Sequence, residues 1–132
     1  MEKVMGIGGF FFKATDKVAL AAWYRDNLGV PVDASWHGAV FSWRDNNPAG
    51  DAHTVWSPFA SDTTYFEPSN KGFMVNFRVS DLDAMLAQLR ANGCEVDDKV
   101  EDSDFGKFGW VMDPEGNRVE LWQPPAASSA PA

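Results

Sequence analysis

The sequence reads Asp113-Pro114-Glu115-Gly116-Asn117-Arg118-Val119-Glu120-Leu121-Trp122 near its C-terminal end. The first five of these residues form a strong turn signal, because Pro presets φ, Gly accepts positive φ, and Asp and Asn hydrogen-bond to nearby backbone. The aromatic and apolar residues 108–112 before the turn and 118–122 after it are typical of strands. The stretch therefore predicts two strands joined by a turn, with Glu120 and Leu121 on opposite faces.

A helix is predicted upstream of these strands. Apolar residues recur there at the i, i+3, i+4 and i+7 positions that form one helix face, namely Leu82, Met85, Leu86 and Leu89. Ser80 is a good N-cap, with Asp83 three residues later in a pattern that resembles a capping box, and Gly93 ends the helix. A strand over residues 73–79 precedes this helix, and a short strand at residues 95–96 follows it.

The first half of the chain repeats this order. A strand over residues 7–14 leads to a helix between Asp16 and Gly29, an extended segment at residues 30–32, and strands over residues 39–43 and 53–56. Matching residues are separated by nearly constant distances along the chain, 65 residues for Asp16 and Asp81 and 66 for Trp56 and Trp122. A βαβββ order that appears twice predicts an α+β protein in which two modules form curled mixed sheets around a cavity.

The repeat also sets the domain boundaries that we predict. Residues 1–124 form a single domain, with module 1 at about 5–58, a linker at 59–71 and module 2 at about 72–124. The tail, residues 125–132, consists of Pro, Ala and Ser, and we expect it to be mobile.

Composition limits the functions that the chain can have. It has 132 residues, 45% of them hydrophobic, and 14% are aromatic, which suggests a lined cavity as well as a core. The net charge of −8 argues against nucleic acid and anionic membranes as partners and is compatible with a cationic ligand. The lone cysteine, Cys94, excludes an internal disulfide. The N-terminus lacks the apolar segment of a signal peptide, so we expect a cytoplasmic protein.

Two motifs resemble those of a known superfamily. The helix end Tyr24-Arg25-Asp26-Asn27-Leu28-Gly29 and the turn-strand segment at residues 113–122 are similar to sequences of the glyoxalase/bleomycin-resistance/extradiol-dioxygenase superfamily, whose fold is called the vicinal oxygen chelate or glyoxalase-like fold. The resemblance implies a small-molecule ligand or substrate and a homodimer, with aromatic residues such as Phe59, Tyr65 and Phe66 at the dimer contact.

The resemblance also implies where a metal would be bound. Metal-dependent members of the superfamily place one ligand on the first and one on the last strand of each module, and the corresponding positions here hold Gly9, Thr54, Met74 and Glu120. Glycine has no side chain, a thioether is too soft for Zn, Ni or Fe in this setting, and one carboxylate cannot form the site alone. His37 and His53 do not supply the missing ligands, since His53 is predicted on the opposite strand face from Thr54. We therefore predict no cofactor, with a divalent metal as the alternative, because the usual ligands are largely absent.

Strand alternation predicts which side chains line the cavity. Glu120 is the candidate catalytic residue. The candidate ligand-binding residues are Phe11, Lys13, Thr54, Trp56, Met74, Asn76, Arg78, Trp110 and Trp122. Arg78 and Glu120 have an alternative interpretation as a structural ion pair. Tyr65 and Phe66 in the linker either cover the mouth of the cavity or hold the two modules together.

Two functions compete for this cavity, and the sequence leaves open whether the protein is an enzyme. In the first, it is a glyoxalase-like lyase or isomerase with an atypical metal site or none, and Glu120 is the general base. In the second, it sequesters a drug or metabolite without catalysis, as bleomycin-resistance proteins do, and tryptophans stack on the ligand. These tryptophans are Trp43, Trp56, Trp110 and Trp122.

Overall fold

A computed structural model gives the fold and describes residues 1–42 and 53–125. The strands are β1 (Val4–Ala14), β2 (Ala39–Ser42), β3 (His53–Ala60), β4 (Phe73–Val79), β5 (Glu95–Val96), β6 (Glu101–Ser103), β7 (Gly106–Met112) and β8 (Arg118–Gln123). The helices are α1 (Lys17–Leu28) and α2 (Leu82–Ala91). Trp43, at the end of the strand predicted over residues 39–43, lies outside the described residues. So does the tail after Pro125.

The strands form one eight-stranded mixed sheet in the order β2-β3-β1-β4-β8-β7-β5, with β6 paired to β7. Each half of the chain contributes a parallel pair, β1 with β3 and β4 with β8, and the halves join through the antiparallel pair of β1 and β4. A parallel pair needs a crossover connection, and the chain between the paired strands contains one helix in each half. The α+β class and the curled mixed sheet with two helices are thus confirmed.

Helix α1 begins and ends at the predicted residues, whereas α2 has its caps at Asp81 and Asn92 rather than at Ser80 and Gly93. Asp16 caps α1 by accepting a hydrogen bond from the Ala19 N–H at 3.0 Å, and Asp81 caps α2 by the same bond to Ala84. The α2 cap is therefore Asp81, one residue after the predicted Ser80. Gly29 ends α1 with φ +69, a left-handed conformation that glycine adopts without strain. Neither helix of the described chain has the length and apolarity needed to cross a bilayer.

Two short segments differ from the prediction. Residues 30–32 are not a strand, because the Val32 N–H donates to the Val30 carbonyl at 2.8 Å and closes a three-residue turn around Pro31. An isolated bridge between Asp33 and Gly38 follows instead. In the second half, the polar strand β6 was not predicted, since a strand of three residues has too little alternation to be recognised.

The core is divided between the two faces of the sheet. On the convex face, α2 buries Leu82, Met85 and Leu86 against Val79 and Leu121. On the concave face, the linker between the modules folds back over the sheet and buries its own aromatic ring. This ring is Phe66, only 1% exposed, which packs with Phe11, Met74 and Trp110. The linker thereby fills part of the concavity, and the remaining space forms a pocket.

We expect Gly106→Ala, at the first residue of β7, to destabilise the protein by about 2–3 kcal/mol. Gly106 has φ +116, and a Cβ there would lie 2.3 Å from the Gln123 carbonyl oxygen. Gly116→Ala is the matched control, because its φ is +82 but nothing lies within 4 Å of the added Cβ, so only the strain of about 1 kcal/mol applies. Urea denaturation measures both, and equal losses would contradict the proposed clash.

Candidate functional site

The site is organised by a row of residues that crosses the concave face of the sheet. Strand pairing places Val55 of β3 beside Gly9 of β1, Gly9 beside Asn76 of β4, and Asn76 beside Glu120 of β8. Trp110 of β7 lies on the other side of Glu120. Five strands thus fix the backbone positions around one carboxylate, which gives the site a rigid base.

Glu120 is held by three hydrogen-bond donors and is only 1% exposed. The Tyr65 hydroxyl and Trp110 Nε1 both donate to Oε1, the latter at 3.0 Å, and Asn76 Nδ2 donates to Oε2 at 2.6 Å. Burial raises the pKa of Glu120 above its ordinary value, although the three hydrogen bonds and the positive charge of Arg118 act in the opposite direction. Burial also raises the pKa of Tyr65, so its hydroxyl keeps its proton and remains a donor.

Arg118 supports this network from below. Its guanidinium lies 4.6 Å from the centre of the Trp110 ring, Nη1 donates to the Tyr65 carbonyl, and Nη2 lies 3.5 Å from Asp97 Oδ2. A guanidinium that stacks on an indole and binds a backbone carbonyl restrains both partners. Arg118 therefore positions the two donors, Tyr65 and Trp110, that share Glu120 Oε1.

Above the carboxylate lies a pocket of about 290 Å³. Two aromatic pairs stand at its sides: Phe108 stacks with Trp122 at 6.4 Å between ring centres, and Phe59 stacks with Tyr65 at 5.7 Å. The described lining residues are Gly8, Phe11, Val55, Phe59, Tyr65, Asn76, Phe105, Phe108, Glu120 and Trp122. The pocket is therefore a largely aromatic cavity, and its carboxylate and amide, from Glu120 and Asn76, lie next to each other.

The structure brings together part of the set predicted from the sequence. Phe11, Asn76, Glu120 and Trp122 line the pocket, and Trp110 reaches it through its N–H bond to Glu120. Two others share the concave face but lie beneath the linker. These are Met74, packed against Phe66, and Lys13, whose Nζ lies 6.0 Å from the centre of the Phe66 ring.

Thr54 and Trp56 do not lie among the described residues that line this pocket. Gly9 pairs with Val55, so the β3 residues that share its face are the odd-numbered ones. Trp56 packs on the helix side, 5.0 Å from the ring centre of Tyr24, and Thr54 Oγ1 donates to the Ile7 carbonyl at 2.8 Å.

Arg78 is placed differently from the prediction. It pairs with Trp122 in the sheet, one pair beyond Asn76 and Glu120, and it does not line the pocket. The hydrogen-bond donors to Glu120 are Tyr65, Asn76 and Trp110, and the cation that lowers its pKa is Arg118. The alternative interpretation of a structural pair between Arg78 and Glu120 is therefore replaced by this network.

Several residues that line the pocket were not predicted from the sequence, namely Gly8, Val55, Phe105 and Phe108. Tyr65 was expected either to cover the mouth of the cavity or to hold the two modules together, and it lines the pocket and donates to Glu120, 55 positions later. The signal that pointed to it was the aromatic pair Tyr65-Phe66 within a polar linker. The rings of Phe59, Tyr65 and Phe66 were also expected at a dimer contact. Phe66 is buried, and Phe59 and Tyr65 stack on each other and line the pocket.

The residues at the site do not fit a metal. Val55 and Gly9, in the row across the sheet, have no side-chain atom that could bind a metal. The Asn76 amide nitrogen donates a hydrogen bond to the Glu120 carboxylate. The protons of three donors point at the carboxylate oxygens that a metal would need. No group of three or more His, Cys, Asp or Glu side chains able to hold a metal occurs among residues 1–42 and 53–125.

Comparison with known proteins identifies the family. Residues 9–122 match the glyoxalase-like domain model. No curated protein sequence shows a significant match to the chain. Among solved structures, methylmalonyl-CoA epimerase from Mycobacterium tuberculosis is similar, with TM-score 0.62, 21% identity and coverage of 92% of this chain and 89% of that one.

Two further structures share the fold. Methylmalonyl-CoA epimerase from Streptomyces coelicolor in complex with 2-nitronate-propionyl-CoA gives TM-score 0.62, 18% identity and coverage of 94% of this chain and 100% of the other. A glyoxalase/bleomycin resistance protein/dioxygenase superfamily member from Vibrio splendidus gives TM-score 0.57 and 13% identity, with coverage of 93% of this chain and 99% of the other. At these identities the structures show the fold alone, whereas the domain model spans most of the chain. The chain belongs to the glyoxalase-like domain family.

Proposed function

We propose that the protein binds a small organic molecule in the pocket above Glu120. The observation that carries the proposal is a single carboxylate, held by three donors, at the base of an aromatic cavity of about 290 Å³. Cavities of this size, with apolar walls and few polar groups, are typical of small-molecule sites. The aromatic rings supply contact area, and Glu120 fixes the orientation of the ligand.

The energetics of Glu120 support a binding role. Burying a carboxylate in apolar surroundings costs free energy that its hydrogen bonds only partly offset, since the pKa of Glu120 remains raised. A leucine at that position would be cheaper for the core alone. A ligand that donates a hydrogen bond to the carboxylate would complete its solvation.

Filling the pocket tests the proposal. We expect Val55→Phe to weaken binding of the neutral planar fluorophore Prodan by roughly tenfold, because a phenyl ring overpacks the space that the probe needs. Val18→Phe is the matched control, since Val18 lies exposed on α1, away from the pocket. Fluorescence titration gives both affinities. Equal affinities for the two variants would mean that Prodan binds elsewhere, and the pocket would lose its support.

A second candidate is an isomerase that moves a proton through Glu120. The raised pKa of this carboxyl favours it, because a general base works best when its pKa lies near the working pH. Structures of the same fold include methylmalonyl-CoA epimerases. Against it, the hydroxyl of Tyr65 and the indole N–H of Trp110 are committed to Glu120 rather than to a developing negative charge on a substrate.

We also propose that the protein is a homodimer and cytoplasmic, as expected from the sequence. The dimer contact would use apolar side chains that the structure leaves exposed, such as Phe10 on β1 and Phe73 on β4, whose rings stack on each other. These side chains replace Phe59, Tyr65 and Phe66 as candidates for the contact.

A further inference from the structure

Phe105 is an unusually exposed aromatic residue at the mouth of the pocket. It lies in the turn between β6 and β7, next to Ser103 and Asp104, and 76% of its surface is exposed. It nevertheless lines the pocket. The exposed surface of the Phe105 ring is therefore available for contact with a molecule bound in the pocket.

The backbone of this turn is fixed while the ring of Phe105 is free. The Phe105 N–H donates to Ser103 Oγ at 3.1 Å, and Trp122 Nε1 donates to the Phe105 carbonyl at 2.8 Å. Gly106 fits only as glycine, because an added Cβ would lie 2.3 Å from the Gln123 carbonyl oxygen. A ring presented from a fixed backbone loses little entropy when a ligand covers it.

The aromatic pairs form two sides of the pocket. Phe108 and Trp122 come from β7 and β8, with an angle of 15° between their rings, and Phe59 and Tyr65 come from β3 and the linker, with an angle of 12°. Strands β3 and β7 lie on opposite sides of the central strands, so the curled sheet brings the pairs to either side of the pocket. Flat rings fill such a space better than branched aliphatic groups, because they stack.

The polar groups of the pocket favour a ligand that carries hydrogen-bond donors. The Tyr65 hydroxyl is committed to Glu120, and the Trp122 N–H is committed to the Phe105 carbonyl. The Asn76 amide oxygen is buried and has no partner among the described residues, and Glu120 Oε2 accepts one hydrogen bond. The hydrogen-bonding capacity that remains in the pocket is therefore mainly that of acceptors, and one of these acceptors is a carboxylate. The chain as a whole has a net charge of −8.

We propose that the pocket binds a planar aromatic cation, with an amidinium-type or protonated amino group on Glu120 and its ring covered by Phe105. The proposal rests on the proposed binding function and names its ligand class. Charge-assisted hydrogen bonds to a buried carboxylate are stronger than neutral ones, and a bound cation offsets the cost of burying that charge.

Three isosteric probes test the charge. They are 2-naphthamidine, 2-naphthamide and 2-naphthoate, which share ring and shape but carry charges of about +1, 0 and −1 at neutral pH. Isothermal calorimetry is expected to give at least about tenfold tighter binding of the amidine than of the amide, and no detectable binding of the naphthoate. In Glu120→Gln we expect the amidine to lose this advantage.

The role of Phe105 is tested with the same amidine. We expect Phe105→Ala to weaken its binding by about fivefold, through lost ring contact, without changing the melting temperature. Phe41→Ala is the matched control, because Phe41 is an exposed aromatic residue of β2 that does not line the pocket, and its removal should leave affinity unchanged.

The outcomes separate this proposal from the function on which it rests. Equal affinities for amidine, amide and naphthoate, or tighter binding of naphthoate, would overturn the cation while leaving Prodan binding, and thus the binding function, intact. An unchanged amidine affinity in Phe105→Ala would overturn the role of that ring. The comparison of probes on the wild-type protein decides the charge even if Glu120→Gln fails to fold.

Discussion

Replacing Trp110 with alanine is expected to destabilise the protein by about 3–5 kcal/mol, a large part of the stability of a domain this size. Trp110 is only 1% exposed and packs with Phe11, Phe66 and Met74. Removing it leaves a cavity beneath the linker and takes away the surface on which the Arg118 guanidinium stacks. It also leaves Glu120 with two donors instead of three.

Two further variants divide this loss between packing and hydrogen bonding. Trp110→Phe keeps most of the ring and removes the N–H, so we expect a loss of about 1–2 kcal/mol. Trp23→Ala is the control for removal of an indole, because Trp23 is 53% exposed on α1, and its loss should be within about 1 kcal/mol. Urea denaturation gives all three values. A loss below 1 kcal/mol for Trp110→Ala would show that the linker does not depend on this ring.

The turn and strand at residues 113–123 illustrate what could be predicted from the sequence. The turn depends on local chemistry, since Asp113 accepts hydrogen bonds from the backbone of Glu115 and the side chain of Asn117. The position of Glu120 on the face opposite Leu121 follows from the period of two. Such features are encoded within a few residues, so they can be recognised without knowledge of the rest of the fold.

The cavity face of β3 could not be predicted, because it depends on a register between distant strands. The 66-residue spacing of Trp56 and Trp122 suggested that Thr54 corresponds to Glu120. The pairing instead places Val55 in line with Glu120, a spacing of 65, and β1 contains register shifts between Val4 and Gly6 and between Ile7 and Gly9. One residue of shift exchanges the two faces of a strand.

The hydrogen bond from Tyr65 to Glu120 could not be predicted for a different reason. The linker has no periodic pattern that gives the direction of its side chains, and its path is set by the packing of Phe66 against the concave face. The donor to Glu120 thus comes from a segment whose sequence indicates only a connection. Long-range contacts of this kind arise from the assembled fold.

Glu120→Gln is expected to remove a pH dependence of stability that the wild-type protein shows. Burial raises the pKa of Glu120 above its ordinary value near 4.5, so the folded protein binds this proton more tightly than the unfolded chain does. The stabilisation is complete below the unfolded-state pKa and is lost as the pH rises through the folded-state pKa. Each unit of pKa difference corresponds to about 1.4 kcal/mol. Glutamine cannot ionise, and the Asn76 amide can turn to accept a bond from it.

Tyr65→Phe sharpens the same test, because the Tyr65 hydroxyl is one of the groups that lower the pKa of Glu120. Without that donor, the pKa rises further, and the loss of stability with rising pH becomes larger than in the wild type. Free energies of unfolding are measured in urea from pH 4 to pH 9, and the Glu120→Gln curve is subtracted to remove the titration of all other groups. A wild-type curve parallel to that of Glu120→Gln would show that Glu120 titrates alike in both states. The raised pKa, and with it the proton-transfer candidate, would then be wrong, whereas the aromatic pocket would still have to be tested by its ligands.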